Sequence, residues 1–111
     1  MKNEKYFLLL TEKNFGNINI HYTLLESMVI DVVSRIEGVS KVYKNNMQII
    51  NNPDNQKKGM NIYVDVNIEL NTNVVDIAEN IQENIKYSIE SLTNLIVNET
   101  IIKVVNIDEK P

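Results

Sequence analysis

The hydrophobic pattern changes its period once between Met60 and Leu92, and this change constrains the fold more than any other feature. From Met60 to Leu70 every even-numbered residue is apolar and the odd-numbered ones are mostly polar, which is typical of a strand with one buried face. Beyond the corner at 71–73 the apolar residues recur at helical spacing; they are Val74, Ile77, Ala78, Ile81, Ile85, Ile89 and Leu92. The strand would be about 35 Å long and the helix about 27 Å long. We therefore predict that the helix lies along the strand and covers its apolar row.

A second strand and helix are predicted upstream. Asn17–His21 alternates apolar and polar residues, as a half-buried strand does. Thr23 and Glu26 have the spacing of a capping box, in which each side chain accepts a hydrogen bond from the main-chain N–H of the other. The helix that follows has one apolar face, formed by Leu25, Met28, Val29, Val32, Val33 and Ile36. Gly38 suits the left-handed position that ends a helix.

The remaining segments are predicted to supply two more strands. One runs from Val39 to Ile50 with an irregularity at Asn45–Asn46, and it is followed by turn-forming residues at 51–59 that we predict to be a mobile hairpin tip. The last strand spans 96–107 and is mostly apolar, which suits a central strand or one whose outer face is also covered. Residues 1–14 are predicted to form either an extra strand or a loose N-terminal arm.

The predicted order of elements is therefore β-α-β-β-α-β, in a single domain spanning residues 1–111. Right-handed crossovers place both helices on the same face of one sheet. We predict an α/β chain of the α+β type: a two-layer sandwich with two helices packed on one face of a four-stranded sheet. The other sheet face carries Tyr63, Asp65, Asn67 and Glu69, and is predicted to be either solvated or an interface.

Composition excludes several classes of protein. The chain has no cysteine, so it can form neither a disulfide framework nor a thiolate metal site, which fits a reducing compartment. The net charge of −4 provides no basic surface for DNA. The longest apolar run near the N-terminus, Tyr6–Leu10, is too short for a signal peptide or a membrane span. We predict a cytoplasmic protein that does not insert into a membrane directly.

The polar side chains form no recognisable catalytic or metal-binding pattern. His21 is the only histidine, and without a cysteine or a second histidine to share a metal it is predicted to be structural or solvent-facing. Asp65, Asn67 and Glu69 carry oxygens suited to a hard cation, but neighbours on one strand face lie about 6.8 Å apart, which favours a plain polar face. The chain also has no glycine-rich loop that could hold phosphates. We predict no catalytic residue, cofactor or metal, and no enzymatic activity.

Four apolar residues are candidates for protein contact. Leu24 and Ile30 fall off the buried face of the first predicted helix, and Val75 and Tyr87 fall off that of the second. Apolar residues that cluster on a surface mark protein interfaces. Together with the apolar last strand, they favour a homo-oligomer or a protein partner.

Two basic residues are candidates for a different contact. Lys57 and Lys58 lie in the predicted hairpin tip and could touch phosphate groups. The order of elements is loosely similar to that of K-homology domains, but those domains need a Gly-x-x-Gly loop, which this sequence lacks. DNA is therefore excluded as a partner and RNA is disfavoured.

Several segments together resemble a known family, the alkaline shock proteins, which are Gls-type cell-envelope stress response proteins of Gram-positive bacteria. The resemblance extends from Phe15 to Ile107 and is carried by Gly16–Ile20, Glu37–Val39, Ile62–Leu70, Ile77–Gln82 and Leu92–Leu95. The chain departs from the family at three places. Asn71-Thr72 stands where the family usually has Tyr-Gly, and Asn94 stands where it has Gly. Thr100-Ile101-Ile102 stands where it has Val-Asn-Val.

The resemblance implies a non-catalytic cytoplasmic binding or scaffold protein of the envelope stress response. Such a protein would self-associate or dock on a membrane-anchored partner, and no catalytic residues are carried over from the family. The alternative is a small regulatory adaptor that binds a metabolic enzyme or RNA. A strong salt dependence of nucleic-acid binding, lost on replacing Lys57 and Lys58 by Glu, would favour the alternative.

Overall fold

The computed structural model describes residues 6–10, 17–51 and 59–109. Within these ranges the secondary-structure elements are, in chain order, β1 Tyr6–Leu10, β2 Asn17–His21, α1 Tyr22–Ser34, β3 Val39–Val42, a 3₁₀ turn Lys44–Asn46, β4 Gln48–Asn51, β5 Met60–Glu69, α2 Val74–Thr93 and β6 Val97–Asp108. Most of the predicted hairpin tip (52–58) and most of the predicted N-terminal arm (1–5 and 11–14) lie outside the described residues.

The main sheet has four strands and is built around β5. Both β3 and β4 pair antiparallel with β5 along one of its edges, and β6 pairs with the other edge in parallel orientation. Both helices contribute to the one core that covers the apolar row of β5. The predicted fold class is confirmed: this is an α+β two-layer sandwich with two helices on one face of a four-stranded sheet.

The membership of the sheet differs from the prediction at the N-terminal side. The predicted first strand, β2, pairs antiparallel with β1 in a separate two-stranded sheet, so Tyr6–Leu10 is the extra strand that was one of the two alternatives for 1–14. The fourth strand of the main sheet arises because the segment 39–50 is broken by the 3₁₀ turn at Lys44–Asn46, where the sequence predicts an irregularity. Alternation within β2 indicated a strand but could not indicate its partner, since pairing depends on a second segment.

The core follows the two predicted periodicities. All five even-numbered residues of β5 are buried, and from α2 the residues Ile77, Ile81, Ile85 and Ile89 pack on them together with Leu25, Val29 and Val33 of α1. Val74 and Leu92, the two ends of the predicted helical stripe, are exposed because they lie in the terminal turns of α2. Burial of apolar surface of this kind is the main stabilising term of a small domain.

Both ends of α2 are capped by asparagine residues. The corner after β5 ends at Asn73, whose Oδ1 accepts a hydrogen bond of 3.1 Å from the Asp76 main-chain N–H and caps the helix. Asn94 adopts the left-handed conformation (φ 60°) and donates its N–H to the Glu90 carbonyl. Asparagine is one of the few non-glycine residues that adopt this conformation readily.

The ends of α1 differ from the prediction by a few residues. The helix begins at Tyr22, one residue before the predicted cap Thr23, and it ends at Ser34, four residues before Gly38. Gly38 is nevertheless left-handed (φ +97°), and a Cβ placed there would lie 2.6 Å from Cδ1 of Ile77. Glycine is favoured at this position because its backbone is left-handed, and the connection from α1 to β3 also passes close to the start of α2.

Candidate interaction surface

A groove runs along the outer surface between α1 and α2. It has a volume of about 340 Å³, and its apolar lining comes from Met28, Val32, Ile36 and Leu92. Asp31 and Arg35, which also line the groove, form an ion pair of 3.1 Å one turn apart on α1. The groove therefore combines an apolar floor with charged groups of both signs at its rim, a composition that suits contact with a protein segment.

Helical spacing places two of the sequence-predicted residues near this groove, although neither lines it. Leu24 is one turn before the groove residue Met28, and Tyr87 is three residues after the groove residue Asn84, so each shares a helix face with a lining residue. Their exposed fractions are 54% and 74%, and that of Leu92 in the groove itself is 74%. We call Leu24, Tyr87 and Leu92 the groove triad.

The other predicted apolar residues do not join the groove triad. Val75 is 62% exposed but lies in the first turn of α2, about 18 Å along the helix from Tyr87. Ile30 is half-buried and packs against the core, and it lines a second cavity of about 230 Å³ with Val39 and Val42 of β3. The expectation that Ile30 falls off the buried face of α1 is wrong because β3 covers that side of the helix. Lys57 and Lys58 lie outside the described residues.

The last strand is an edge strand within the part of the chain that the structure describes. Its register with β5 is continuous from Asn61↔Glu99 to Val66↔Val104, and the register shifts on either side of that segment. This corrects the expectation of a central or doubly covered strand, since β6 has β5 as its one strand neighbour there. Glu99 and Lys103 are the signal that could have indicated an edge, because natural proteins place charged residues on edge strands to limit their pairing.

Alternation in the continuous segment of β6 separates two sets of side chains. Thr100, Ile102 and Val104 lie opposite core residues of β5 and therefore face the helices. Glu99, Ile101 and Lys103 face the opposite side, where Ile101 is level with Tyr63 and Lys103 with Asp65. At the helix side the Gln82 Nε2 donates a hydrogen bond of 3.0 Å to the Thr100 carbonyl, so α2 reaches over this edge of the sheet.

The outer sheet face contains a polar cluster around Asp108. Oδ2 of this carboxylate accepts hydrogen bonds from the Ser40 hydroxyl (2.8 Å) and from Nδ2 of Asn67 (3.1 Å), and Oδ1 accepts one from Nδ2 of Asn106 (3.1 Å). Asn67 is 95% buried, and its Oδ1 has no hydrogen-bond partner among the described residues. The cluster connects β3, β5 and β6, so its role is to hold three strands together. Sequence reasoning found Asn67 but missed Ser40 and Asp108, which are distant from it along the chain.

Residues suited to a metal do not come together in the described ranges. No group of three or more His, Cys, Asp or Glu side chains there could hold a metal ion. Asp65, which the sequence placed in a row with Asn67 and Glu69, accepts a 3.4 Å hydrogen bond from Nδ2 of Asn46. His21 ends β2 and is in register with Tyr6 of β1.

The described ranges contain two α-helices, α1 and α2. Neither of them is long and apolar enough to cross a membrane.

Comparisons with known proteins show a similarity in fold to solved structures. No protein-family model and no curated protein matches the sequence. Two solved structures of MamM-CTD, one of them in a copper form, each superpose with a TM-score of 0.50 at 10% sequence identity, over 82% of this chain and 100% of that one. At this identity the likeness extends to the fold alone: the chain has the two-layer arrangement of helices on a sheet that those domains have.

Proposed function

We propose that this is a non-catalytic binding or scaffold protein that acts through protein–protein contact. It self-associates or docks on a membrane-anchored partner in the cytoplasmic response to cell-envelope stress. The family resemblance supports the stress-response part of the proposal. The contact part is supported chiefly by one observation, the groove triad of exposed apolar side chains around the cleft between α1 and α2.

The groove triad favours binding for a physical reason. Single exposed apolar residues are common on any protein surface, but here Leu92 lines the groove and helical spacing brings Leu24 and Tyr87 to the two helices that form it, and grouped apolar residues of this kind are found at interfaces. Tyrosine is enriched at such surfaces because its ring buries a large area and its hydroxyl group can stay hydrated. A groove of about 340 Å³ is at the lower end of the size of small-ligand pockets, and it suits one or two anchoring side chains of a partner.

The Asp31–Arg35 pair at the rim contributes to selectivity. Both side chains are largely exposed (57% and 77%), so the ion pair itself adds little to the stability of the fold. The two charges can instead meet charges of opposite sign on a partner, which affects specificity and association rate more than affinity. The partner surface that fits is therefore apolar in its centre and carries charges of both signs at its periphery.

The test is affinity recovery of the tagged full chain from its native cell after cross-linking. The informative variant is Leu24→Asp with Tyr87→Asp, and the matched control is Asn45→Asp with Gln48→Asp, which adds the same charge at exposed positions remote from the groove. We expect the wild type and the control to recover a membrane-anchored protein and the groove variant to lose it. Recovery of the same proteins with all three chains would contradict the proposal.

A further inference from the structure

In the described residues, β6 is the longest strand, and one of its two edges is paired with no other strand. β6 has twelve residues, whereas the opposite edge of the sheet is divided between β3 and β4, with a 3₁₀ turn between them and a register shift between Val39 and Lys41. Interruptions and bulges of that kind prevent an edge from pairing with another chain. In β6 the register with β5 is regular from Glu99 to Val104, so these six residues form a regular row of backbone donors and acceptors, in which the Thr100 carbonyl already accepts a hydrogen bond from Gln82.

We propose that two copies of this chain join through antiparallel pairing of their β6 strands, about a two-fold axis that passes beside Ile101 perpendicular to the sheet. The two four-stranded sheets would become one continuous sheet with all helices on the same face. This inference rests on the proposed function, because it specifies how the proposed self-association of the chain takes place. It concerns a different surface from the groove triad.

The charges on β6 select this register. In an antiparallel pair centred on Ile101, Glu99 lies directly opposite the partner's Lys103, and Lys103 lies opposite the partner's Glu99. Centring the pair on Glu99 or on Lys103 would place like charges face to face, and centring it on Thr100 or Ile102 would place each charge opposite an apolar residue or beyond the regular segment. Opposite charges in directly opposed positions stabilise a strand pair and like charges destabilise it. Of the five centres between 99 and 103, only Ile101 gives two complementary pairs.

The apolar side chains fit the same register. Ile101 is half-buried in one copy and would meet the partner's Ile101 at the axis. Each Ile101 is level with Tyr63 of its own β5, so an apolar row of two isoleucines flanked by two tyrosines would cross the outer face of the joined sheet. Aromatic and β-branched residues are favourable neighbours across strands.

The helix layer is compatible with the two-fold axis as well. Gln82 marks the side of α2 that lies over β6, since its side chain is bonded to the Thr100 carbonyl. Glu79 and Lys86 are three residues before and four residues after Gln82, on the same side of the helix. Because the axis makes the two α2 helices antiparallel, it turns Glu79 of one copy toward the partner's Lys86. Exposed Val75 lies on this side of α2 too, which gives this sequence-predicted residue a place in the contact.

The test uses single charge reversals in the full chain and measures association by sedimentation velocity over a range of concentrations. Glu99→Lys places lysine opposite lysine in both pairs, and Lys103→Glu places glutamate opposite glutamate. We expect each variant alone to dimerise at least about tenfold more weakly than the wild type. An equimolar mixture of the two should form a heterodimer about as tight as the wild-type dimer, because every opposed pair is then complementary. Glu37→Lys and Lys44→Glu, at exposed positions on the opposite side of the sheet, make the same changes in net charge and should leave association unchanged.

The outcomes separate this inference from the proposed function. A wild-type chain that stays monomeric at every concentration overturns the inference, and so does a dimer that neither reversal weakens or that mixing does not restore. Either result leaves the proposed function standing if Leu24→Asp with Tyr87→Asp still loses a membrane-anchored partner. Recovery of association by mixing also shows that both variants are folded, so a failure to fold cannot produce the expected result.

Discussion

Gln82 of α2 donates a hydrogen bond of 3.0 Å from Nε2 to the main-chain carbonyl of Thr100 in β6. Thr100 is buried and its carbonyl lies on a strand whose outer edge is unpaired within the described ranges. The side chain of a helix residue therefore supplies a donor to the edge of the sheet. The same bond fixes which side of α2 lies over β6.

Replacement of Gln82 tests the contribution of this bond. Gln82→Leu removes the donor and leaves the buried Thr100 carbonyl without it, so we expect the free energy of unfolding to fall by about 1 kcal/mol. The control is Glu83→Leu, at the neighbouring exposed position, which removes no contact with β6. Urea unfolding followed by circular dichroism, at a protein concentration low enough for the monomer, measures both. Equal losses from the two variants would show that the bond contributes nothing.

Gly38→Ala tests the close approach between the α1–β3 connection and α2. The left-handed backbone at φ +97° is costly for alanine, by about 1–3 kcal/mol, and the new Cβ would meet Cδ1 of Ile77 at 2.6 Å. Ile77→Val removes that atom at a cost of about 0.5–1.5 kcal/mol. The double variant should therefore be more stable than the sum of the two losses predicts, by about 0.5 kcal/mol or more. Strict additivity in denaturant unfolding would mean that the two residues do not meet.

Asp108 is expected to hold the polar cluster of the outer sheet face together. Asp108→Ala leaves Nδ2 of the buried Asn67 without its acceptor, so the free energy of unfolding should fall by about 1–3 kcal/mol. Asp108→Asn keeps one oxygen acceptor and should lose less. Glu109→Ala, at the exposed next residue, should change stability by less than about 0.5 kcal/mol. Thermal unfolding of the three variants should rank them in that order, and a loss at 108 no larger than that at 109 would contradict the role of the cluster.

The groove triad is expected to matter for binding and not for stability. Because Leu24 and Tyr87 are more than half exposed, replacing either by Asp should change the free energy of unfolding by no more than about 0.5 kcal/mol. The same replacements should abolish recovery of a partner. A large loss of stability in denaturant unfolding would instead indicate that these side chains belong to the core.

The central strand and helix could be predicted because their signals are local. Met60–Glu69 and Val74–Thr93 have clean periods of two and 3.6, and Asn73 and Asn94 mark the ends of the helix by their own conformational preferences. A side chain that must face the core at fixed intervals shows this in the sequence whatever its neighbours are.

The features that sequence reasoning missed depend on distant partners. The pairing of β2 with β1, the edge position of β6, and the Ser40–Asp108 contact across 68 residues each require two segments to meet. Ile30 was misplaced for the same reason, since only the position of β3 shows that this side of α1 is covered. Leu24 and Tyr87 could be identified as exposed from helical spacing, but the groove between α1 and α2 could not, because it exists only when the two helices pack side by side.

The most direct test of the claim that this protein pairs with a second copy of itself through β6 is sedimentation velocity of the unmodified full chain over a wide range of concentrations. The account predicts a reversible monomer–dimer equilibrium that Glu99→Lys weakens and that mixing with Lys103→Glu restores. A single monomeric species at every concentration would contradict it.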